Sequence, residues 1–264
     1  MFRKNKLIFL LLITTVACSV VPFSNRKRIN IVPDDMMLNM SFTNYSEFLT
    51  QNPPLPESDA NTKMVKEVGN KLATAVSSFM NTKGMGEEIK DFKWEFNLVN
   101  NKEVNAWCMP GGKVVVYTGL LPISMNAEGL SVVMGHEIAH AIAKHGSERM
   151  SQQLLIQLGG MSLAAALEKK PEATKNIFMT AFGVGSTLGS LAYSREHELE
   201  ADKLGLFFMA MAGYDPNKAI SFWERMSQNG GVAPPEILST HPSDANRIAE
   251  MKKNLPEAMQ YYKK

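Results

Sequence analysis

Cysteine is almost absent from this sequence: Cys18 and Cys108 are the only two in 264 residues. That excludes a small fold stapled by disulfides. Strong charge of either sign is missing as well, since 28 basic residues face 26 acidic ones. A net charge of +2, with no basic stripe interleaved with aromatics, removes the electrostatic case for a nucleic-acid partner. No internal repeat or low-complexity tract is present, which excludes a solenoid or a linker-like chain. Long apolar runs are scarce too. Leu7 to Val16 is too short to span a bilayer comfortably, and Ile177 to Tyr193 barely reaches that length and carries Gly183, Gly185 and Gly189. The second run therefore reads as a buried helix or flap. Histidine is sparse, and all five lie between positions 136 and 241.

What remains is ordinary globular composition, 45% hydrophobic and 20% charged, enough to bury a core without a structural metal. Arg3, Lys4 and Lys6 precede the first apolar run, and Ala17 precedes Cys18. This pattern predicts a signal peptide over 1–17, cleaved before Cys18, whose thiol then carries lipid, although Thr15 stands where such sites usually have Leu. The expected partner is then a membrane reached through lipid on Cys18. The expected location is the periplasmic face of a bacterial envelope, most simply the outer membrane. With Cys18 lipidated, Cys108 has no partner, and a small apolar side chain in a strand is its expected role.

Residues 18–58, rich in Pro, Asn and Ser, read as an extended leader with one short helix near Asp34 to Leu49. From 59 to 264 the pattern is that of a folded domain. Met64, Val65, Val68, Leu72, Val76 and Phe79 recur at helical spacing. The period then changes to two at Phe92, Trp94, Phe96 and Leu98, followed by strand candidates at Val104 to Met109 and Lys113 to Tyr117 around the turn Pro110-Gly111-Gly112. Asn126 caps a helix expected to run through His140 towards Met150. Further helices are expected at Ser194 to Met211, Pro216 to Gln228 and from Ser243. The fold class is α+β, mainly helical, with a small, mostly antiparallel sheet.

His136-Glu137-Ile138-Ala139-His140 is the informative feature. On a helix, positions i and i+4 share a face, so both imidazoles reach one ion. Glu137 lies about 100° round the helix from His136 and reaches water on the metal without ligating it. The pattern predicts one zinc ion per chain, with Glu137 as the catalytic base. A catalytic site needs a third protein ligand, and the candidates lie between Ser194 and Asp202. Glu196 and Glu200 read as a solvated helix face. Glu198 and Asp202, four residues apart, suit a pair in which Glu198 binds zinc and Asp202 accepts the outer N–H of a ligating histidine. His197 is the rival ligand. His145, five residues past His140, falls off the ligand face and reads as structural.

HEIAH, with Ser-Arg-x-x-Glu-x-Glu-Ala-Asp-x-x-Gly over 194–205 and Thr-His-Pro over 240–242, resembles the M48 metallopeptidases. The likeness runs from about Val32 to Lys252. It is nearest to the soluble lipoprotein branch, without the helical repeat domain that follows the peptidase in the member assisting β-barrel assembly. The resemblance implies a zincin-like peptidase with Glu198 as third zinc ligand and Asp202 orienting a histidine. It implies that His241 faces the metal, as oxyanion helper or as occupant of the open position at rest, with Arg247 supporting it. It also implies an active-site edge strand within 105–121, assigned to Lys113, Val114, Val115, Val116 and Tyr117, that pairs with an unfolded or extended polypeptide substrate. The expected activity is hydrolysis of misfolded or unassembled envelope proteins. The alternative is a chaperone-like envelope lipoprotein with a latent zinc site.

Overall fold

The computed structural model describes residues 18–21, 24, 26–184, 193–228, 237, 241 and 245–263. The expected signal segment, 1–17, lies outside them, and so does the side chain of Cys18 that was expected to carry lipid. An N-terminal hairpin pairs β1 (Cys18–Val20) antiparallel with β2 (Lys27–Ile29). Pro33 then precedes α1 (Asp34–Gln51). Asp59 caps α2 (Ala60–Thr82) by accepting the Thr62 N–H at 2.8 Å, and the stripe Val65, Val68, Leu72, Val76 and Met80 is buried.

Three strands follow: β3 (Glu95–Val99), β4 (Ala106–Met109) and β5 (Lys113–Tyr117). Gly111 and Gly112, with φ of +79° and +80°, turn the chain tightly between β4 and β5. The returning strand does not stay outside its hairpin partner. It inserts between β4 and β3, giving the order β3-β5-β4, antiparallel to β4 and parallel to β3. The small sheet expected from the strand pattern is present, and its central strand makes it mixed.

One expectation is corrected here. Lys113, Val114, Val115, Val116 and Tyr117 form the centre of the sheet and not its edge, and all five are buried. The valine-rich run signals this burial on both faces. Val114 and Val116 pack with α2 and the metal-motif helix, while Val115 and Tyr117 pack with Tyr45 of α1 and with Trp107. Lys113 is tolerated there because its ammonium bonds Glu95 at 2.9 Å and lies over the rings of Phe42 and Tyr45. The strand of the predicted segment that lies at an edge is β4, which packs along the motif helix.

Helix α3 (Ala127–Ile142) is capped by Asn126, whose side chain accepts from Gly129 N at 3.0 Å. It stops well short of Met150, because Lys144 adopts φ +56° and restarts the chain as α4 (His145–Gln157). Helices α5 (Leu163–Lys169) and α6 (Pro171–Ala181) cover the α1 side of the sheet. Residues 185–192 of the glycine-bearing apolar run lie outside the described residues. Among the described residues no helix is long and apolar enough to cross a membrane. The chain closes with α7 (Arg195–Met211), α8 (Lys218–Gln228) and α9 (Ala245–Ala258).

Candidate metal centre

The centre is built where α3 crosses α7. A Cβ on Gly205 would lie 3.1 Å from the backbone nitrogen of His136, and one on Gly135 would lie 3.2 Å from the Gly205 carbonyl oxygen. Only two glycines allow backbones this close. The crossing sets the first acidic turns of α7 beside the two histidines of α3. Ser194 caps α7 through the His197 N–H at 3.1 Å, which fixes where those turns begin.

His136, His140, Glu198 and His241 bring one donor atom each within 4.8 Å of one another. His136 Nε2 lies 3.0 Å from His140 Nε2 and 3.2 Å from His241 Nδ1. Glu198 Oε1 lies 2.9 Å from His241 Nδ1 and 3.4 Å from His140 Nε2. A tetrahedral ion with bonds of about 2.0–2.1 Å needs donor atoms about 3.3 Å apart. Ring nitrogens converging on one another and on a carboxylate are satisfied together by a cation at their centre. The donor set therefore fits zinc. Glu137 stands beside it, its Oε1 buried without a hydrogen-bond partner and 3.6 Å from His241 Nε2.

Asp202 Oδ1 lies 2.9 Å from His136 Nδ1, close enough for an ion pair though not aligned as a hydrogen bond. Arg247 grips the same carboxylate with two bonds, Nε to Oδ2 at 2.7 Å and Nη2 to Oδ1 at 2.6 Å. It also reaches Glu198 Oε2 at 2.8 Å and the His241 carbonyl oxygen at 3.2 Å, and its guanidinium lies over Trp223. This side chain, only 2% exposed, therefore joins α7, α9 and the His241 segment.

Burial pushes the Glu137 carboxyl above its ordinary range, against the pull of His241 and His136. Burial acts the same way on Glu198, but His241, Arg247 and His140 override it and hold that carboxyl well below its usual value. Burial lowers His140. For His241 burial is outweighed by Glu198 and Glu137, which raise it.

Every proposed catalytic and ligand residue is thus brought together except the strand 113–117. His197 points away, its Nε2 3.1 Å from Glu148, so it is no rival to Glu198. Glu196 is exposed as expected. Glu200 is not on a solvated face: its side chain is 7% exposed, bonded to His145 at 2.8 Å and to Arg26 at 3.2 Å. His145 in turn meets His140 Nδ1 at 2.9 Å. Two aromatics also escaped the sequence reading. Tyr193 lies with its ring centroid 4.0 Å from that of His140, and Trp223 stands edge-on to His136. Tyr193 directly precedes the Ser194 motif, the one signal that could have pointed to it. Cys108 is buried in β4 with its thiol pushed up by burial, as befits a packing side chain.

The model of peptidase family M48 matches residues 60–255. The mitochondrial metalloendopeptidase OMA1 of Schizosaccharomyces pombe is 34% identical over 242 residues, 90% of this chain and 66% of that protein. The human mitochondrial metalloendopeptidase OMA1 is 29% identical over 91% of this chain and 46% of its own length. The β-barrel assembly-enhancing protease of Escherichia coli K12 is 31% identical over 60% of this chain and 33% of its own length. The chain thus spans between a third and two thirds of these relatives. They correct the expected location: the relatives matched over nine tenths of the chain are mitochondrial, so a lipid-anchored place on the periplasmic face of a bacterial envelope is not upheld.

Proposed function

Because this chain belongs to peptidase family M48, we propose that it is a zinc-dependent endopeptidase acting on unfolded or unassembled polypeptides. The observation that carries the reading is the buried convergence of His136, His140 and Glu198 beside the free carboxylate oxygen of Glu137. In this reading the three are the protein ligands of zinc. Zinc, when bound, polarises the scissile carbonyl and brings the pKa of a water molecule to about 7. Glu137 takes a proton from the attacking water on a carboxylate oxygen and delivers it to the leaving amine nitrogen. A carboxyl whose pKa is raised by burial suits a group that must both take and return a proton near neutrality. Asp202, gripped by Arg247, keeps His136 aimed at the ion.

His241 fills the fourth corner of the donor set, and the five central residues are each no more than 3% exposed. We read this as a resting state in which His241 closes the centre. When it swings out, its ring can hold the developing oxyanion. In this reading the strand that would take an extended substrate is β4, at an edge of the sheet and buried along its length in the resting state.

The test is degradation of casein by the purified chain. Glu137→Gln is expected to abolish it while zinc content stays at one per chain; His136→Ala and Glu198→Ala are expected to lose the metal. A wild-type chain that takes up no zinc under metal-replete conditions would sink the assignment.

A further inference from the structure

The two histidines of the motif are braced from behind in different ways. His136 presents its outer nitrogen to a carboxylate, Asp202. His140 presents its outer nitrogen, Nδ1, to another histidine, Nδ1 of His145, at 2.9 Å. Two imidazole nitrogens at that distance hold one hydrogen between them, and the far end of His145 decides where it sits. His145 Nε2 lies 2.8 Å from Glu200 Oε2, and an ionised carboxylate only accepts. The single hydrogen of a neutral His145 is therefore on Nε2, and its Nδ1 is a lone pair. The His140 hydrogen must then be on Nδ1. That leaves His140 Nε2, the nitrogen 3.0 Å from His136 Nε2, as the free lone pair facing the metal position.

The far end of this chain is Arg26, from the N-terminal hairpin. Its guanidinium bonds Glu200 Oε2 through Nε at 3.2 Å and both oxygens of Glu148 at 3.2 and 3.0 Å. A neighbouring cation keeps Glu200 ionised and therefore accepting. His145 is fully buried, stacked on His197 with ring centroids 4.4 Å apart, so it has no room to turn over.

We propose that Arg26, Glu200 and His145 form a positioning chain that fixes the tautomer of His140 for zinc, so that metal loading depends on the N-terminal arm being docked. The proposal rests on the reading of His140 as a ligand. Residues that orient a metal-bound histidine typically change metal affinity by about 10–100-fold when replaced.

The experiment measures zinc affinity of the full chain by competition with a fluorescent chelator, alongside melting of the metal-free form. His145→Phe keeps a buried ring and removes the acceptor; Glu200→Leu removes the group that sets the tautomer. Both are expected to weaken zinc binding by about 10–100-fold with little change in the metal-free melt. Glu200→Gln, which still offers an oxygen to His145, is expected to stay close to wild type. Arg26→Ala is expected to fall between. Imidazole nitrogen NMR of the zinc-loaded wild type is expected to place the His140 hydrogen on Nδ1. Unchanged affinity in both His145→Phe and Glu200→Leu overturns the proposal. So does a loss that Glu200→Gln shares and that tracks the metal-free melt. His140→Ala separates the two readings: if it keeps zinc, the ligand assignment fails, and if it loses zinc while His145→Phe does not, only the positioning chain fails.

Discussion

Replacing Gly205 by alanine puts one methyl group into the crossing that assembles the metal centre. The added Cβ meets backbone alone: His136 N at 3.1 Å, His136 Cα at 3.2 Å and Gly135 C at 3.3 Å. Ordinary carbon contacts sit at about 3.5–4.0 Å, so α7 must retreat by a few tenths of an ångström. No side chain can yield in its place. Alanine gains about 1 kcal/mol over glycine as a helix former, while overpacking costs about 1–3 kcal/mol. The two terms nearly offset, and the metal-free protein is expected to lose no more than about 2 kcal/mol. Zinc binding has no such offset. Glu198 rides on α7 and His136 and His140 on α3, so the retreat opens donor spacings already near their ideal. A tenfold loss of zinc affinity, about 1.4 kcal/mol, is expected. Chelator competition gives the affinity, and urea unfolding of the metal-free chain gives the stability. A Gly205→Ala chain that is more stable and binds zinc as tightly as wild type would refute the reasoning, since the helices would then have accommodated the methyl without moving apart. Gly135→Ala, whose Cβ meets the Gly205 carbonyl oxygen at 3.2 Å, should behave alike.

Arg247→Met leaves Asp202 and Glu198 buried without their guanidinium, and a loss of about 3–5 kcal/mol is expected by urea unfolding; adding Asp202→Asn should recover part of it. Cys108 is expected to resist iodoacetamide in the native chain and to react on unfolding, because it is buried with its thiol pushed up. Glu148 supplies a pH test. Burial would raise its carboxyl, but the hydrogen bond with His197 and the pairing with Arg26 bring it down to about 2. Its stabilising contribution is thus complete above the unfolded value of about 4.3 and is lost as pH falls towards the folded one. The melting advantage of wild type over Glu148→Gln should accordingly shrink between about pH 5 and pH 3. A constant advantage across that range would count against the pairing.

Local pattern carried the helices and the heart of the centre into view. His136 and His140 are legible because one helical turn separates them, and Glu198 and Asp202 because they share a face of a second helix. What stayed hidden depends on long-range placement. A continuous helix would put His145 about 140° round from His140, on the wrong face. The break at Lys144, φ +56°, folds it back to within hydrogen-bonding distance. Glu200 sits in a charged stretch that reads as solvated, and it is paired with Arg26 arriving from 174 positions away. Likewise the turn at Gly111-Gly112 announces that β4 and β5 pair, but nothing local says that β3 takes the other side of β5. The edge strand was therefore assigned to the wrong arm of the hairpin.

The grip of Arg247 on the centre has a consequence in electroneutrality. Among the described residues, Glu137, Glu198 and Asp202 are buried together and Arg247 is the guanidinium that meets two of them, so these four side chains carry a formal charge of −2 when all are ionised. A divalent ion closes the deficit and a monovalent one leaves half of it. Glu137 and His241 are two groups there whose affinity for protons is raised. Because ligands hold a metal in their deprotonated forms, metal uptake at such a centre releases protons, and acidification competes with the metal supply for the same buried space.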